Sequence, residues 1–308
     1  MQTNENNSTL TMDHEEWLDA RRKGLGGSDA GAILGLNKWA SPLDVYLDKI
    51  GEAPETLDNP AMEWGRLLEP VVADKYADIT GNKVRRNNRI LAHPEHDFIL
   101  ANLDREIVGQ NGILEVKCTK FAGDDWGPLG SSIIPDSYAA QVMHYMSITG
   151  ADFADVAVLI AGNDFRIYKI KRDQELIDIM TDCLVKFWHN HVLARVKPDP
   201  INSNDFKNLW PTDQGGVATA PFAGTHIAEL KDLKAKIKEL QAEATNVELA
   251  IKNEMQDCAI LDDGTGRTLA TWKGRVSKRL DTKRFKQDHA DLYDQYCVET
   301  ETRTFIVK

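Results

Sequence analysis

No stretch of the chain approaches the roughly 20 unbroken apolar residues that a membrane-crossing helix needs. The first residues, MQTNENNSTLTMDHEEW, are polar and slightly acidic, with no basic start leading into an apolar run, so no secretory signal is expected. Cysteine is sparse and scattered. Cys118, Cys183, Cys258 and Cys297 form no C-x-x-C pair, which leaves a zinc ribbon or an iron–sulfur cluster without support. Isolated cysteines suit a reducing compartment, where they pack as small hydrophobes. These absences predict a cytoplasmic protein with no membrane partner. Internal repeats and low-complexity tracts are missing too.

Positive charge is also in deficit: 37 Lys and Arg stand against 48 Asp and Glu, a net charge of −11 over 308 residues. That is the wrong sign for gripping phosphates. The imbalance is uneven, however. Residues 258–308 hold 10 Lys and Arg against 8 Asp and Glu, which leaves 27 against 40 in the rest of the chain. An enzyme that holds metal ions on carboxylates carries such an excess, so the charge weakens a nucleic-acid reading without excluding it.

What is present is an amphipathic core in two periodicities. With 42% apolar residues the chain can bury a sizeable interior. Helical spacing is expected over 13–22, with Trp17 and Leu18 inward, and over the segment opened by Ser41-Pro42, with Leu43, Tyr46, Leu47 and Ile50. A longer helix is expected over 60–79, with Leu67, Leu68, Val71, Val72 and Tyr76 on its face. Between the first two, GLGGSDAGAILG reads as a Gly-rich turn, an N-cap at Ser28 and a short helix ended by Gly35. The period then shortens: strands are expected at 82–91, 97–103 and 111–119, a helix at 135–148, strands at 155–161 and 165–171, and a helix at 173–195. That order predicts an α/β fold with one sheet flanked by helices.

The expected organisation is a disordered 1–12, a domain over 13–200, a linker over 201–224 rich in Pro, Gly, Asn and Asp, and an extension over 225–308. The extension opens with a long helix to residue 257 whose stripe, Leu230, Leu233, Ile237, Leu240, Ala244, Val247 and Ile251, is close to a heptad. A hairpin at 259–262 and 267–273, a helix near 282–296 and a final strand at 302–307 follow.

The strongest chemical signal is LDREIVGQNGILEVK. Asp104 ends one expected strand, and Glu115-Val116-Lys117 lies on the next, where alternation puts Glu115 and Lys117 on one face and Val116 on the other. Pairing of the two strands would bring Asp104 to Glu115. Two adjacent carboxylates repel and favour a cation with oxygen preference, such as Mg²⁺, and a lysine beside them can hold or deprotonate water. Phosphodiester hydrolysis needs that combination. Taken alone the pattern reads equally as a surface strand of alternating charge. A second signal is Arg21 followed by the turn at Ser28: free backbone N–H groups, a hydroxyl and a guanidinium make an anion site, while an ordinary capped helix needs no ligand.

Other residues read more simply. His93 and His96 fit a surface turn better than a zinc site, and His189 and His191 do not face one another on a helix. His144 reads as a polar neighbour of Gln141. Asp124, Asp125 and Trp126 read as a solvated turn with a packing tryptophan. The run over 272–286, with Lys273, Arg275, Lys278, Arg279, Lys283, Arg284 and Lys286 against Asp281 alone, is compatible both with DNA phosphate contacts and with a solvated face.

Taken together, RRKGLGGSDAGAILG, EWGRLLEP, LDREIVGQNGILEVK and PDSYAAQVMHYMSITG resemble, in order and spacing, the phage recombination exonucleases of the YqaJ and lambda exonuclease family, within the PD-(D/E)XK nuclease superfamily. The resemblance covers roughly residues 15–195; the region after 200 lies outside its motifs. It implies a restriction-endonuclease-like mixed sheet flanked by helices, followed here by a C-terminal helical and hairpin extension. It assigns Glu69 to a second metal site, Asp104 to the aspartate shared between metals, and Glu115 and the Val116 carbonyl to the other ligands. Lys117 resembles the water-activating residue and Gln141 the glutamine at the edge of the active site. Arg21 and Ser28 resemble the pocket for a terminal 5′-phosphate. The proline that usually precedes the aspartate is Leu103 here, which costs nothing because it is not a ligand.

The implied activity is Mg²⁺-dependent 5′→3′ digestion of one strand from double-stranded DNA ends. A pair of metal ions is implied for each site, with Mn²⁺ as a substitute. The exposed 3′ strand would serve annealing-based recombination in a bacterial host cell. A single-strand annealing protein is the implied partner and a ring-shaped homo-oligomer, commonly a trimer, the implied assembly. The alternatives are an endonuclease or structure-specific nuclease on the same core, and an inactive DNA-end-binding or partner-recruiting module; the intact set Glu69, Asp104, Glu115 and Lys117 argues against the last.

Overall fold

The change from helical to alternating periodicity near residue 82 is where the sheet begins. The computed structural model describes residues 14–53, 59–299 and 301–307. Residues 1–12, expected to be disordered, lie outside them, as does residue 13. The chain divides into two compact units, Met1–Leu209 and Trp210–Lys308.

The first unit opens with helices α1 (His14–Arg22), α2 (Gly27–Ile33), α3 (Pro42–Lys49) and α4 (Pro60–Thr80). Strands β1 (Val84–Arg85), β2 (Leu91–Ala92), β3 (Leu100–Ala101), β4 (Arg105–Ile107) and β5 (Gly112–Thr119) follow. Then come α5 (Asp136–Thr149), β6 (Phe153–Ile160), β7 (Asp164–Lys171) and α6 (Gln174–Phe187), which runs on into a π-helical segment, Trp188–Leu193, and finally α7 (Ser203–Leu209). The main sheet has the order β1-β4-β5-β6-β7. Only β5 and β6 run parallel, joined through α5; the other pairs are antiparallel. The expected mixed sheet flanked by helices is therefore present.

Alternation along β5 explains the layers. Leu114 and Val116 turn to α4 and pack with Val72, Ala73, Tyr76, Ile107 and Ala157. Ile113 turns the other way, into the larger core formed with Leu25, Leu43, Tyr46, Val142, Met146 and Leu184. Glu115 and Lys117 share the parity of Ile113, so they face α5. A Cβ on Gly112 would fall 2.4 Å from the Phe153 ring on the paired strand, so glycine is required where β5 begins.

Several elements depart from expectation. The strand expected at 82–91 is confined to β1 and to β2, which pairs with β3 in a separate two-stranded ribbon. The intervening residues 86–90, RNNRI, offer only Ile90 to bury against a sheet. Leu67 and Val71, expected on the buried face of α4, are 56% and 58% exposed; the contact runs through Val72, Ala73 and Tyr76 instead. Ser28 is not the N-cap of α2. Gly26 takes that place in extended conformation, and its N–H is satisfied by Asp29 Oδ2 at 2.8 Å.

The expected linker over 201–224 begins with α7, which belongs to the first unit. Asp205, fully buried, accepts from Ser41 Oγ at 2.6 Å and from the Ile201 N–H at 2.9 Å, and so ties α7 to the start of α3. Asp205→Ala is expected to leave both donors without that acceptor and to cost about 1–3 kcal/mol of unfolding free energy. A urea midpoint unchanged from the wild type would show the tie to be dispensable.

The second unit holds α8 (Ala223–Met255), the antiparallel hairpin of β8 (Ile260–Asp262) and β9 (Thr268–Thr271), and two short helices, α9 (Thr282–Asp288) and α10 (Ala290–Tyr296). The single helix expected near 282–296 is thus broken at His289, which is non-helical at φ −142°, ψ 56°. The final strand expected at 302–307 is not formed; residues 301–307 carry no regular secondary structure. No helix among the described residues is long and apolar enough to cross a membrane.

Candidate active site

The register of β4 on β5, Arg105 opposite Leu114, carries Asp104 to the level of Glu115. Asp104 Oδ2 accepts the Val116 N–H at 2.8 Å, which locks the carboxylate onto the neighbouring strand. Glu115 is 3% exposed and its Oε1 is held twice, by Lys117 Nζ at 2.6 Å and by Gln141 Nε2 at 2.8 Å. Gln141, reaching down from α5, also accepts from Lys117 Nζ at 3.0 Å through Oε1. The Lys117 ammonium lies 4.7 Å from the centre of the Tyr138 ring, one helical turn before Gln141. Asp104, Glu115 and Lys117 are therefore gathered as strand alternation anticipates, and Gln141, assigned to the site by the family resemblance alone, lies among them.

The electrostatics follow from burial. The Asp104 carboxyl is pushed well above the usual carboxylate range, first by desolvation and then by the charge of Glu115. Burial alone would lower the Lys117 ammonium, but Glu115 and Asp104 outweigh it and raise the group above an ordinary lysine. Tyr145 is raised by burial and by the same two carboxylates, so its hydroxyl stays protonated. A site in which burial and a neighbouring carboxylate both disfavour the ionised form of Asp104 is short of positive charge.

Glu69 stands apart. It approaches from α4, and its Oε1 accepts from Arg105 Nη1 at 2.6 Å, with Arg86 Nη2 at 3.5 Å. Arg105, 6% exposed, also donates to the Asp104 carbonyl at 2.6 Å. Among the described residues no three His, Cys, Asp or Glu side chains form a metal-ligating group. The centre thus offers two adjacent carboxylates and a third engaged by arginine. Hard oxygen donors around a deficit of positive charge fit a divalent cation of the Mg²⁺ type at Asp104 and Glu115.

Beside this centre is a cavity of about 200 Å³, lined by Trp17, Arg21, Ser28, Asn102, Gln141 and Tyr145 among others. Arg21 Nη2 donates to Ser28 Oγ at 3.2 Å, and its guanidinium lies 4.8 Å from the Trp17 ring centre. Lys49, its side chain wholly buried, braces the turn by binding Asp29 Oδ2 at 2.8 Å and the Arg21 carbonyl at 3.3 Å. Gly27 must lack a side chain, since a Cβ would sit 2.5 Å from the Tyr145 ring. Gln141 Nε2 donates to Tyr145 Oη at 2.9 Å, so one glutamine joins the wall of the cavity to Glu115.

Three cavity residues are not assigned to the site by the sequence, Trp17 being read there only as an inward-facing helix residue, although their spacing signals them. Tyr145 lies four residues after Gln141, on the same helix face. Asn102 lies two before Asp104, on the same side of an extended segment, and its buried Oδ1 has no hydrogen-bond partner. Trp17 lies four before Arg21.

The remaining candidates sit elsewhere. His144 is fully buried, bonds the Leu100 carbonyl through Nε2 at 2.8 Å, and is lowered by burial to about 4, so it is neutral and structural. His93 and His96 stack at 5.2 Å beside an open cleft of about 470 Å³ that also includes Arg172 and Asp178. His189 is edge-on to Phe98, and His191 bonds the Val196 carbonyl. Trp126 packs on Tyr138 and Tyr168, and Asp125 pairs with Lys38 at 3.0 Å. Lys273, Arg275, Lys278, Arg279, Lys283, Arg284 and the rest of that run are on the surface of the second unit.

Fold and site together define an α/β protein with a buried carboxylate–lysine–glutamine centre next to a cavity that presents an arginine. Residues 16–152 match the YqaJ-like viral recombinase domain. YqaJ of Bacillus subtilis (strain 168) is 40% identical over 307 residues, which cover 96% of this chain and 95% of that protein. The chain belongs to the YqaJ family. A shorter similarity, 29% over 87 residues, links it to Protein D345L of African swine fever virus (strain Badajoz 1971 Vero-adapted), covering 27% of this chain and 25% of that one. An alkaline exonuclease (LHK-Exo) from Laribacter hongkongensis aligns over 59% of this chain and 94% of its own, at 22% identity and a TM-score of 0.47.

Proposed function

We propose that the protein is a Mg²⁺-dependent 5′→3′ exonuclease that digests one strand of duplex DNA from its ends. The observation that carries this reading is the bond chain Glu115–Gln141–Tyr145, which couples the carboxylate centre to the Arg21–Ser28 cavity. A terminal phosphate seated against Arg21 and Ser28 lies next to the groups that would cleave the following bond. Hydrolysis then leaves a new 5′-phosphate of the same kind.

Asp104, Glu115 and the Val116 carbonyl would hold the metal ion, with Glu69 available to a second one on release from Arg105. A divalent ion there supplies stabilisation of the charge that develops on the phosphate. Lys117, raised and therefore cationic, donates a hydrogen bond that orients the attacking water rather than removing its proton. Gln141 fixes Glu115 and Lys117 relative to the cavity. The family resemblance supports Mn²⁺ as a substitute, a single-strand annealing protein as partner for the exposed 3′ strand, and a ring-shaped homo-oligomer, commonly a trimer.

The test uses end-labelled linear duplex with and without 5′-phosphate, in Mg²⁺ or EDTA, beside closed circles. Phosphorylated ends are expected to be digested faster. Arg21→Ala is expected to slow the phosphorylated substrate by about tenfold to a hundredfold, the loss of a charge-assisted contact of about 1.5–3 kcal/mol, and to leave the hydroxyl end nearly unchanged. Cleavage of circles as fast as linear DNA, with no dependence on the terminal phosphate, would promote the endonuclease reading. DNA-end binding without cleavage in any metal would promote the inactive module.

A further inference from the structure

Along α8 the apolar residues Leu230, Leu233, Ile237, Leu240, Ala244, Val247 and Ile251 alternate at spacings of three and four. Strict alternation of that kind draws the narrow seam of a coiled coil, not the broader face that packs on a sheet. The seam is bare: Leu233 is 48% exposed, Ile237 53%, Leu240 62% and Val247 62%. A 33-residue helix is about 50 Å long, and an uncovered apolar stripe on that scale marks an interaction surface.

We propose that this seam pairs with the same seam of a second copy of the chain, in antiparallel orientation. The flanking charges select the occupant, the direction and the register. Glu229, Lys236, Glu243 and Ala250 line one side of the seam; Ile227, Lys234, Gln241 and Glu248 line the other. Setting Ile237 opposite Leu240 of the antiparallel copy stacks Leu230 on Val247 and Leu233 on Ala244. Lys236 then meets Glu243 on both sides of the two-fold axis. Glu229 faces Ala250, Lys234 faces Gln241, and Glu248 faces Ile227, so no like charges oppose.

Neither alternative does as well. A shift of one heptad in one direction joins Lys234 to Glu248 but places Glu243 against its own copy, and in the other it places Lys236 and Lys234 each against its own copy and Glu229 against Glu243. A parallel pair gains Glu229 with Lys234 but sets Glu243 against Glu248. Opposed like charges are how helices reject wrong registers. Within one helix Lys236 pairs with Asp232 at 2.7 Å, but both side chains are more than half exposed, which leaves the ammonium free to serve a second carboxylate. A helix pair closed by a two-fold axis is the commonest form of self-association. The inference is independent of the nuclease reading.

Sedimentation of the full chain over a range of concentrations tests it. The wild type is expected to pair two-fold, doubling the size of any ring-shaped assembly, and Lys236→Glu, which sets two pairs of glutamates against each other, to weaken that pairing by about tenfold or more. The double variant Lys236→Glu/Glu243→Lys is expected to restore it. Glu229→Lys, which removes the attraction of a parallel pair, is expected to leave it unchanged. A wild type that shows no two-fold pairing overturns the proposal and assigns the seam to a partner of different sequence. Association of undiminished strength in Lys236→Glu, or a double variant no stronger than the single one, also overturns it, and weakening by Glu229→Lys overturns the antiparallel orientation.

Discussion

Asp104→Asn is expected to abolish cleavage while making the metal-free protein more stable. Asparagine keeps an oxygen for the Val116 N–H, so the strand contact at 2.8 Å survives and the fold is unharmed. What goes is one of two adjacent carboxylates. Losing a ligand from a site that stabilises charge on phosphate costs several kcal/mol, about a thousandfold or more in rate. The stability effect has the opposite sign. The folded carboxyl titrates well above its value of 3.8 in an unfolded chain, because it is buried and faces Glu115. Its contribution is full below that unfolded value and is lost as pH rises through the folded one. In EDTA the wild type should therefore lose stability as pH climbs from about 4, and the Asn variant should lose less. Glu115→Gln should also abolish cleavage but lower the melting temperature, since the buried Lys117 ammonium, 2.6 Å from Oε1, then faces a neutral amide in place of a carboxylate. Near-normal activity in either variant defeats the catalytic assignment. A melting temperature for Asp104→Asn that tracks the wild type at every pH removes the electrostatic account of the site.

The contrast between those variants shows how far the sequence could be read. Alternation along 111–119 is enough to place Glu115 and Lys117 on one face, and the Gly-containing turn before it is enough to bring Asp104 across. These are local consequences of a period of two, and they are legible in one chain. Arg105 is different. It follows Asp104 directly, but its partner Glu69 lies on a helix 36 positions earlier, and nothing in either segment announces that pair. The expectation that Glu69 completes a metal site came from family resemblance, and the structure gives its carboxylate a competing cation.

The errors of boundary have a similar cause. The sequence points to Ser28 as the α2 cap because it has the right chemistry, whereas the operative cap is a glycine whose N–H is met by Asp29. Ser28 is released from capping and turned to Arg21, a better position for a ligand-binding hydroxyl. The helix α7 hid in a segment whose Pro, Asn and Asp content reads as linker, because one buried carboxylate on Ser41 outweighs local propensity. In α4 the spacing of Leu67 and Val71 predicts burial that packing does not deliver.

Lys117→Met should leave metal binding in place and slow the chemical step by about a hundredfold or more. Methionine keeps an unbranched apolar stem of nearly the same length while removing the charge and its contact with the Tyr138 ring. Glu115 is then relieved of its strongest hydrogen-bond donor, and only Gln141 Nε2 still holds it. Its oxygens become more available to a cation, so Mn²⁺ affinity measured by calorimetry should hold or rise as turnover falls. The pH profile distinguishes the two jobs a lysine could have here. A general base acts only when deprotonated, so its rate would climb toward the raised Lys117 value, above 10.5. A hydrogen-bond donor acts when protonated, so its rate is insensitive to that titration over the neutral range and falls only on the far alkaline side. The charges of Glu115 and Asp104 favour the donor. A variant in which metal affinity collapses together with rate would make Lys117 a structural counter-ion. A wild-type rate that rises steadily to the alkaline limit, in a profile that Lys117→Met flattens, would make it the base.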